Sequence, residues 1–237
     1  MTFPLVHTFQ SINIRSLVIR LTIGIGIYAL YRALVGYLAA NVGYFSLLKY
    51  PITILYGASA IFLCIAFWLL NRKNPLLPQI IGTTTKQHWV IGMVAVAVCY
   101  GLTYAITIYL GYGRENVMKS LGWGMNTNQY WLLMASIVVL PPIVEELAFR
   151  HFLMTALPIE TAKWIGWFAI VITATWFWHV HSAYNYWPTK ALMFAMGLVL
   201  GWARFATGGL LLPVALHSMA EVIALVGDAV WVRLAAT

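Results

Sequence analysis

Long apolar runs separated by short polar breaks dominate the chain, and they predict helices that cross a bilayer. Seven such runs can be drawn, over residues 17–40, 51–70, 89–110, 130–149, 163–180, 189–205 and 210–232. Each is near the roughly 20 residues that a hydrocarbon core requires, some being slightly short. The predicted fold class is therefore all-α: a polytopic transmembrane helical bundle of about seven spans, six to eight at the limits, with a polar intramembrane site in its C-terminal half. The polar breaks fall where loops are needed. Asn71-Arg72-Lys73-Asn74-Pro75 opens a loop over 71–88, and the Gly- and Asn-rich stretch 111–129, with Arg114, Glu115 and Lys119, breaks any helix there. The mixed segment 1–16 is compatible with a short interfacial helix, and its His7 reads as non-catalytic. The first apolar run exceeds the roughly 7–15 residues of a signal-peptide core, so it is expected to stay as the first span. No period of 20 to 50 residues marks a solenoid.

Composition supports the membrane reading. Of 237 residues, 62% are hydrophobic and 8% charged, with a mean hydropathy of +0.83, where a soluble domain carries about 25% charged residues. Spans and short connections consume nearly all of the length, so residues 1–237 are expected to form a single integral membrane domain. The formal charge of +8 does not point to nucleic acid, because the fourteen Lys and Arg lie in ones and twos at segment ends. That placement suits anionic headgroups and the positive-inside rule, which makes membrane lipids the expected partners. Arg15, Arg20, Arg72, Lys73, Lys86, Arg150, Lys163 and Arg204 outnumber Lys49, Arg114, Lys119, Lys190 and Arg233 across the two faces, predicting a cytoplasmic N-terminus. Cys64 and Cys99 sit mid-segment and read as small buried hydrophobes, with no disulfide framework.

Chemistry enters with three of the six acidic residues, Glu145, Glu146 and Glu221, which fall inside or at the edge of apolar segments. A charge at membrane depth is unfavourable by several kcal/mol unless it is paired, neutralised or wetted. At about 100° per residue, Glu146 and Arg150 form an i, i+4 pair on one helix face while Glu145 points roughly 100° away. Glu145 is left without a local partner, as a candidate general base. Pro141 and Pro142 remove backbone donors and predict a kink one turn earlier that can admit water. A structural ion pair beside an interfacial glutamate would also explain this stretch taken alone, but other spans carry matching groups. His179 and His181 point about 200° apart on a helix, so only one can face a shared site. His217 and Glu221 share a face at i, i+4, either as interhelical glue or as part of that site. Arg32, among Tyr28, Tyr31 and Tyr37, reads as structural or headgroup-snorkelling ahead of a substrate contact.

No phosphate loop, dinucleotide fingerprint, zinc-protease helix or nucleophile elbow is present. Glu145, His181, His217 and Glu221 can activate a water and stabilise an oxyanion without a covalent intermediate. If a divalent metal such as zinc is bound, Glu145, His181 and His217 are its candidate ligands. Both routes lead to hydrolysis.

These segments resemble the CAAX protease and bacteriocin-processing family of intramembrane endopeptidases, which includes the type II prenyl-protein proteases. Its Glu-Glu-x-x-x-Arg motif is matched by Glu145, Glu146 and Arg150, and its Phe-x-x-x-His motif by Phe177 and His181, which selects His181 over His179. Its third motif, a His followed four residues later by Asn or Asp, is matched at His217, but position 221 is Glu. The lead-in Thr207-Gly-Gly-Leu-Leu-Leu-Pro is also similar. The likeness covers about 128–228, making 1–127 variable scaffold and 128–228 the catalytic core.

The resemblance implies that Glu145 activates the water with help from His181, that Arg150 holds Glu146, and that His217 with residue 221 supports the oxyanion or water. An ionised glutamate only accepts hydrogen bonds, so Glu221 is protonated in its buried setting, orients His217 or favours a metal, the second being the leading expectation. The leading expectation is a glutamate-dependent endopeptidase of a prokaryotic cell membrane that needs no cofactor and cleaves a membrane-associated or lipidated protein or peptide. Prenylated C-terminal tails, bacteriocin leaders and C-terminal sorting tails all fit. The alternative is a non-enzymatic relative, such as a bacteriocin self-immunity factor. A proton-coupled transporter is disfavoured by the lack of paired broken helices in two matching halves.

Overall fold

Apolar surface on all sides of a helix needs lipid or other helices around it. The computed structural model describes residues 13–41, 50–72, 81–121 and 124–235, and every regular element among them is helical. In order these are α1 (Ile14–Ala40), α2 (Pro51–Asn71), α3 (Lys86–Tyr109), the short α4 (Asn116–Ser120), α5 (Thr127–Glu145), α6 (Lys163–Val180), α7 (Trp187–Thr207) and α8 (Leu211–Ala235). Between α5 and α6 the chain continues as a π-helix, Glu146–Leu153, and a 3₁₀ turn, Met154–Ala156. His7, Lys49 and Lys73 lie outside the described residues.

Four helices, α1, α3, α5 and α7, start earlier than the apolar runs predict, and side-chain caps explain the first three, α3 through a reciprocal capping box of Thr85 and His88. Asn13 accepts the backbone N–H groups of Arg15 and Ser16 at 3.0 and 3.3 Å, so α1 begins at Ile14. Asn126 and Gln129 form a reciprocal capping box that begins α5 at Thr127. The predicted loop 111–129 also holds α4, flanked by left-handed Gly111 and Gly124.

Five stretches are long and apolar enough to cross a membrane: Ile14–Ala40, Ile52–Leu70, Lys86–Tyr109, Thr127–Ala156 and Leu211–Leu234. The other two predicted spans, α6 and α7, are less apolar: α6 includes Lys163, His179 and four tryptophans, and α7 carries Lys190 and Arg204. They pack closely against each other. The outer surface shows Ile61, Trp68, Val94, Val98, Phe168 and Val230, the apolar exterior of an integral membrane protein. Cys64 shares that exposed surface rather than the expected interior, while Cys99 is half-buried, and both are free thiols.

The segment Thr127–Ala156 is the centre of the bundle. Its most apolar window is 61% buried, against 11–28% for the other four candidate spans. Pro141 and Pro142 lie inside α5, where each lacks the N–H that would continue the ladder. Helix α5 nevertheless continues through both prolines to Glu145, and a wider winding that the sequence reading did not foresee begins at Glu146. Such π-turns are frequent at functional sites.

Two close approaches set the neighbours of this segment. Gly24 of α1 lies against the Phe152 carbonyl and Ala156, and Tyr28, one turn on, packs edge-to-face on Phe149 at 5.4 Å. Gly197 of α7 lies against the backbone and methyl group of Ala174 in α6. At one end of the bundle Arg20 pairs with Glu160 at 2.5 Å, and Thr83 N–H donates to the Thr207 carbonyl at 2.8 Å. At the other, Arg114 pairs with Asp228 through two hydrogen bonds of 2.8 and 2.7 Å. Glu115 accepts the N–H groups of Asn185 and Tyr186 there, fastening the loop after α3 to the loop between α6 and α7.

A methyl group at position 197 would strike the α6 backbone, whereas one at Gly101 meets nothing within 4 Å. Gly197→Ala is therefore expected to lower stability by about 1–3 kcal/mol. Gly101→Ala should be neutral or stabilising by up to about 1 kcal/mol. Thermal unfolding in detergent measures both.

Candidate active site

The two adjacent glutamates at the junction of α5 and the π-turn have different surroundings. Glu146 has no exposed surface, and its Oε2 lies 3.2 Å from Nε of Arg150, which is equally enclosed. Its Oε1 lies 2.9 Å from Nδ1 of His217 in α8. An ionised carboxylate only accepts, so Nδ1 carries the hydrogen and Nε2 is turned toward Glu145. Arg150 also donates from Nη2 to the Gly197 carbonyl at 3.2 Å, and its guanidinium stands 4.8 Å from the Phe177 ring centroid. The Arg150 carbonyl in turn accepts Nε of Arg204 at 3.3 Å.

Glu145 is 7% exposed. Tyr56 of α2 donates its hydroxyl to Oε1 at 3.2 Å. The other oxygen, Oε2, has no hydrogen-bond partner among the described residues. It faces Nε2 of His181 at 3.7 Å and Nε2 of His217 at 3.9 Å. His181 ends α6 as its C-cap, and its Nδ1 lies 2.7 Å from the Phe177 carbonyl, which makes Nδ1 the donor. Both imidazoles thus have Nδ1 engaged elsewhere and turn Nε2 toward one carboxylate oxygen. Glu221 completes the group, with Oε1 3.6 Å from Nε2 of His217. These separations of 3.6–3.9 Å exceed a direct hydrogen bond and suit bridging by one small polar molecule.

The structure therefore brings together all six residues singled out in the sequence: Glu145, Glu146, Arg150, His181, His217 and Glu221. It leaves out His179, which is exposed and lies beside Trp176 with ring centroids 5.3 Å apart. Glu221, expected to orient His217, lies 3.6 Å from its Nε2, and Glu146, not foreseen as a partner, holds its Nδ1. Tyr56 is the contact that the sequence reading missed. One tyrosine among thirteen in an aromatic-rich membrane chain carries no local signal.

Two cavities flank the group. One of about 140 Å³ lies toward α1 and α2 and is lined by Tyr31, Arg32, Tyr56, Glu145, Phe149 and His181, among others. The other, of about 40 Å³, lies toward α3, α7 and α8 and includes Tyr100, His181, Tyr184, Met193, His217 and Glu221. Burial raises the Tyr184 phenol well above its ordinary pKa and keeps it neutral. The candidate metal ligands Glu145, His181 and His217 do converge. However, no three His, Cys, Asp or Glu among the described residues have the arrangement of a metal site.

A helical membrane protein with a buried carboxylate–imidazole centre is the class that fold and site define. The family model described as Type II CAAX prenyl endopeptidase Rce1-like matches residues 127–223, a range that contains all six residues. An Escherichia coli protein described as "Uncharacterized 24.3 kDa protein" is 30% identical over 172 residues, covering 72% of this chain and 77% of that protein. No solved structure matches. The chain belongs to the Rce1-like family.

Removing one member of a buried ion pair strands the other. Arg150→Met is expected to destabilise the fold by about 3–5 kcal/mol, whereas Glu145→Gln, which keeps the Tyr56 contact and removes a buried charge, should change stability by less than about 1 kcal/mol. Thermal unfolding of the two variants in the same detergent tests the difference.

Proposed function

We propose that the chain is an intramembrane endopeptidase in which Glu145 activates a water for attack on a peptide carbonyl near the membrane surface. The observation that carries this reading is the Oε2 atom of Glu145, buried, without a hydrogen-bond partner among the described residues, and faced by Nε2 of both His181 and His217. A water bound among these atoms gives one proton to Glu145 as its oxygen attacks the carbonyl carbon. The carbonyl π electrons move to oxygen, forming a tetrahedral alkoxide. When the alkoxide collapses and the C–N bond breaks, the proton passes from Glu145 to the leaving nitrogen, either directly or through His181.

Glu146 and Arg150 are positioning residues in this scheme. Glu146 keeps Nδ1 of His217 protonated and its ring fixed, and Arg150 neutralises Glu146. Tyr56 anchors the non-reacting oxygen of Glu145. The substrate is a membrane-associated protein or peptide, and the family's description favours a prenylated tail among the possibilities. Residues 128–228 act as the catalytic core within a single membrane domain, supported by the family match over 127–223. The protein sits in a prokaryotic cell membrane with its N-terminus cytoplasmic; with Arg150 and Arg204 enclosed in the bundle, Arg15, Arg20, Arg72, Lys73, Lys86 and Lys163 on that face still outnumber the five Lys and Arg on the other. The non-enzymatic alternative, self-immunity by binding, predicts function that survives loss of both Glu145 and His181.

The test uses full-length protein in proteoliposomes and a set of membrane-anchored peptides that includes one with a prenylated cysteine. Glu145→Gln should lower turnover by at least 10²–10⁴-fold while the protein stays folded and inserted. Full activity in that variant would sink the assignment. In cells, the protein that accumulates uncleaved in a Glu145→Ala strain identifies the substrate.

A further inference from the structure

Arg32 is left without a role by the scheme above, yet its position is specific. Helix α1 runs antiparallel to the central segment, with Gly24 against Phe152 and Ala156, and Tyr28 against Phe149. One turn further along α1, that register brings Arg32 to the level of Glu145, and both side chains line the 140 Å³ cavity with Tyr31, Tyr56 and His181. Arg32 makes no hydrogen bond or ion pair with any described residue, and its remaining surface is exposed. Tyr31 beside it is 4% exposed.

The smaller cavity on the other side of His181 has the opposite character. It holds Glu221, an acceptor when ionised, where the related motif has an amide able to donate or a shorter acid. An alkoxide forming beside Glu145 is repelled on the Glu221 side and attracted on the Arg32 side.

Resting on the endopeptidase reading, we propose that Arg32 is a catalytic residue that donates N–H to the oxyanion of the tetrahedral intermediate, supplying the stabilisation that position 221 does not. The guanidinium stays protonated throughout; the alkoxide forms against it and collapses with C–N cleavage as described above. The attacking water occupies the His181–His217 side of Glu145, and the scissile carbonyl oxygen points into the wider cavity. Tyr31 and Tyr56 border that oxygen.

The experiment compares steady-state cleavage of the prenylated-cysteine peptide by full-length wild type, Arg32→Gln, Arg32→Lys, Arg32→Ala and Glu145→Gln in proteoliposomes, with thermal unfolding of each. Arg32→Gln should lower kcat by 10²–10³-fold with KM within about twofold. Arg32→Lys should regain about tenfold, and millimolar guanidinium chloride should restore part of the kcat of Arg32→Ala. Unchanged kcat in Arg32→Gln overturns the proposal. So does a raised KM at constant kcat, which marks ground-state or headgroup binding, or a kcat loss that tracks lowered stability and resists guanidinium. Glu145→Gln separates the two levels: if it remains active the endopeptidase reading itself fails, whereas an inactive Glu145→Gln beside a fully active Arg32→Gln removes only Arg32.

Discussion

The interaction on which this structure depends is the fully enclosed carboxylate of Glu146, held by Arg150 on its own segment and by His217 from α8. An ion at this depth is tolerated only with several polar partners in good geometry. Each partner recruits another helix. Arg150 reaches the Gly197 carbonyl of α7 and faces the Phe177 ring of α6, while His217 ties in α8. Gly197 must remain without a side chain for α7 to come so close to α6. One buried charge thereby fixes four elements, and the geometry of everything beside it follows.

Glu145 is what that fixed frame leaves unneutralised. Adjacent in the chain to Glu146, it turns toward a different set of groups: the Tyr56 hydroxyl and two Nε2 atoms. The change of winding from α5 to the π-turn falls between the two residues. Stability thus rests on one glutamate and reactivity, in the proposed function, on its neighbour. The flanking cavities add an electrostatic direction, with Arg32 on one side and Glu221 on the other.

Much of this was legible in the chain because the relations are local. Apolar run length marked the helices, and i, i+4 spacing paired Glu146 with Arg150 and His217 with Glu221 before any coordinates, as the contacts of 3.2 and 3.6 Å show. Helical spacing also showed that only one of His179 and His181 can face the site, though geometry alone did not choose between them. The illegible contacts are those between distant positions. Tyr56 and Glu145 are 89 residues apart, Arg150 and Gly197 are 47 apart, and a tyrosine or glycine in an apolar run has no periodic signature. The π-turn, which begins four residues beyond the two prolines, carried no signal in the sequence. The contact that holds Nδ1 of His217 was not legible, because the i, i+4 rule sees only its own helix and Glu146 lies 71 residues away.

The division of labour between the adjacent glutamates is tested most directly by a high-resolution structure of the protein bound to a substrate-like peptide whose scissile amide is replaced by a difluoroketone, which hydrates to a gem-diol. One diol oxygen should lie within about 3.2 Å of Oε2 of Glu145, on the side of His181 and His217, with Glu146 still enclosed between Arg150 and His217. A diol bound to Glu146, or one that leaves Oε2 of Glu145 untouched, would contradict the assignment.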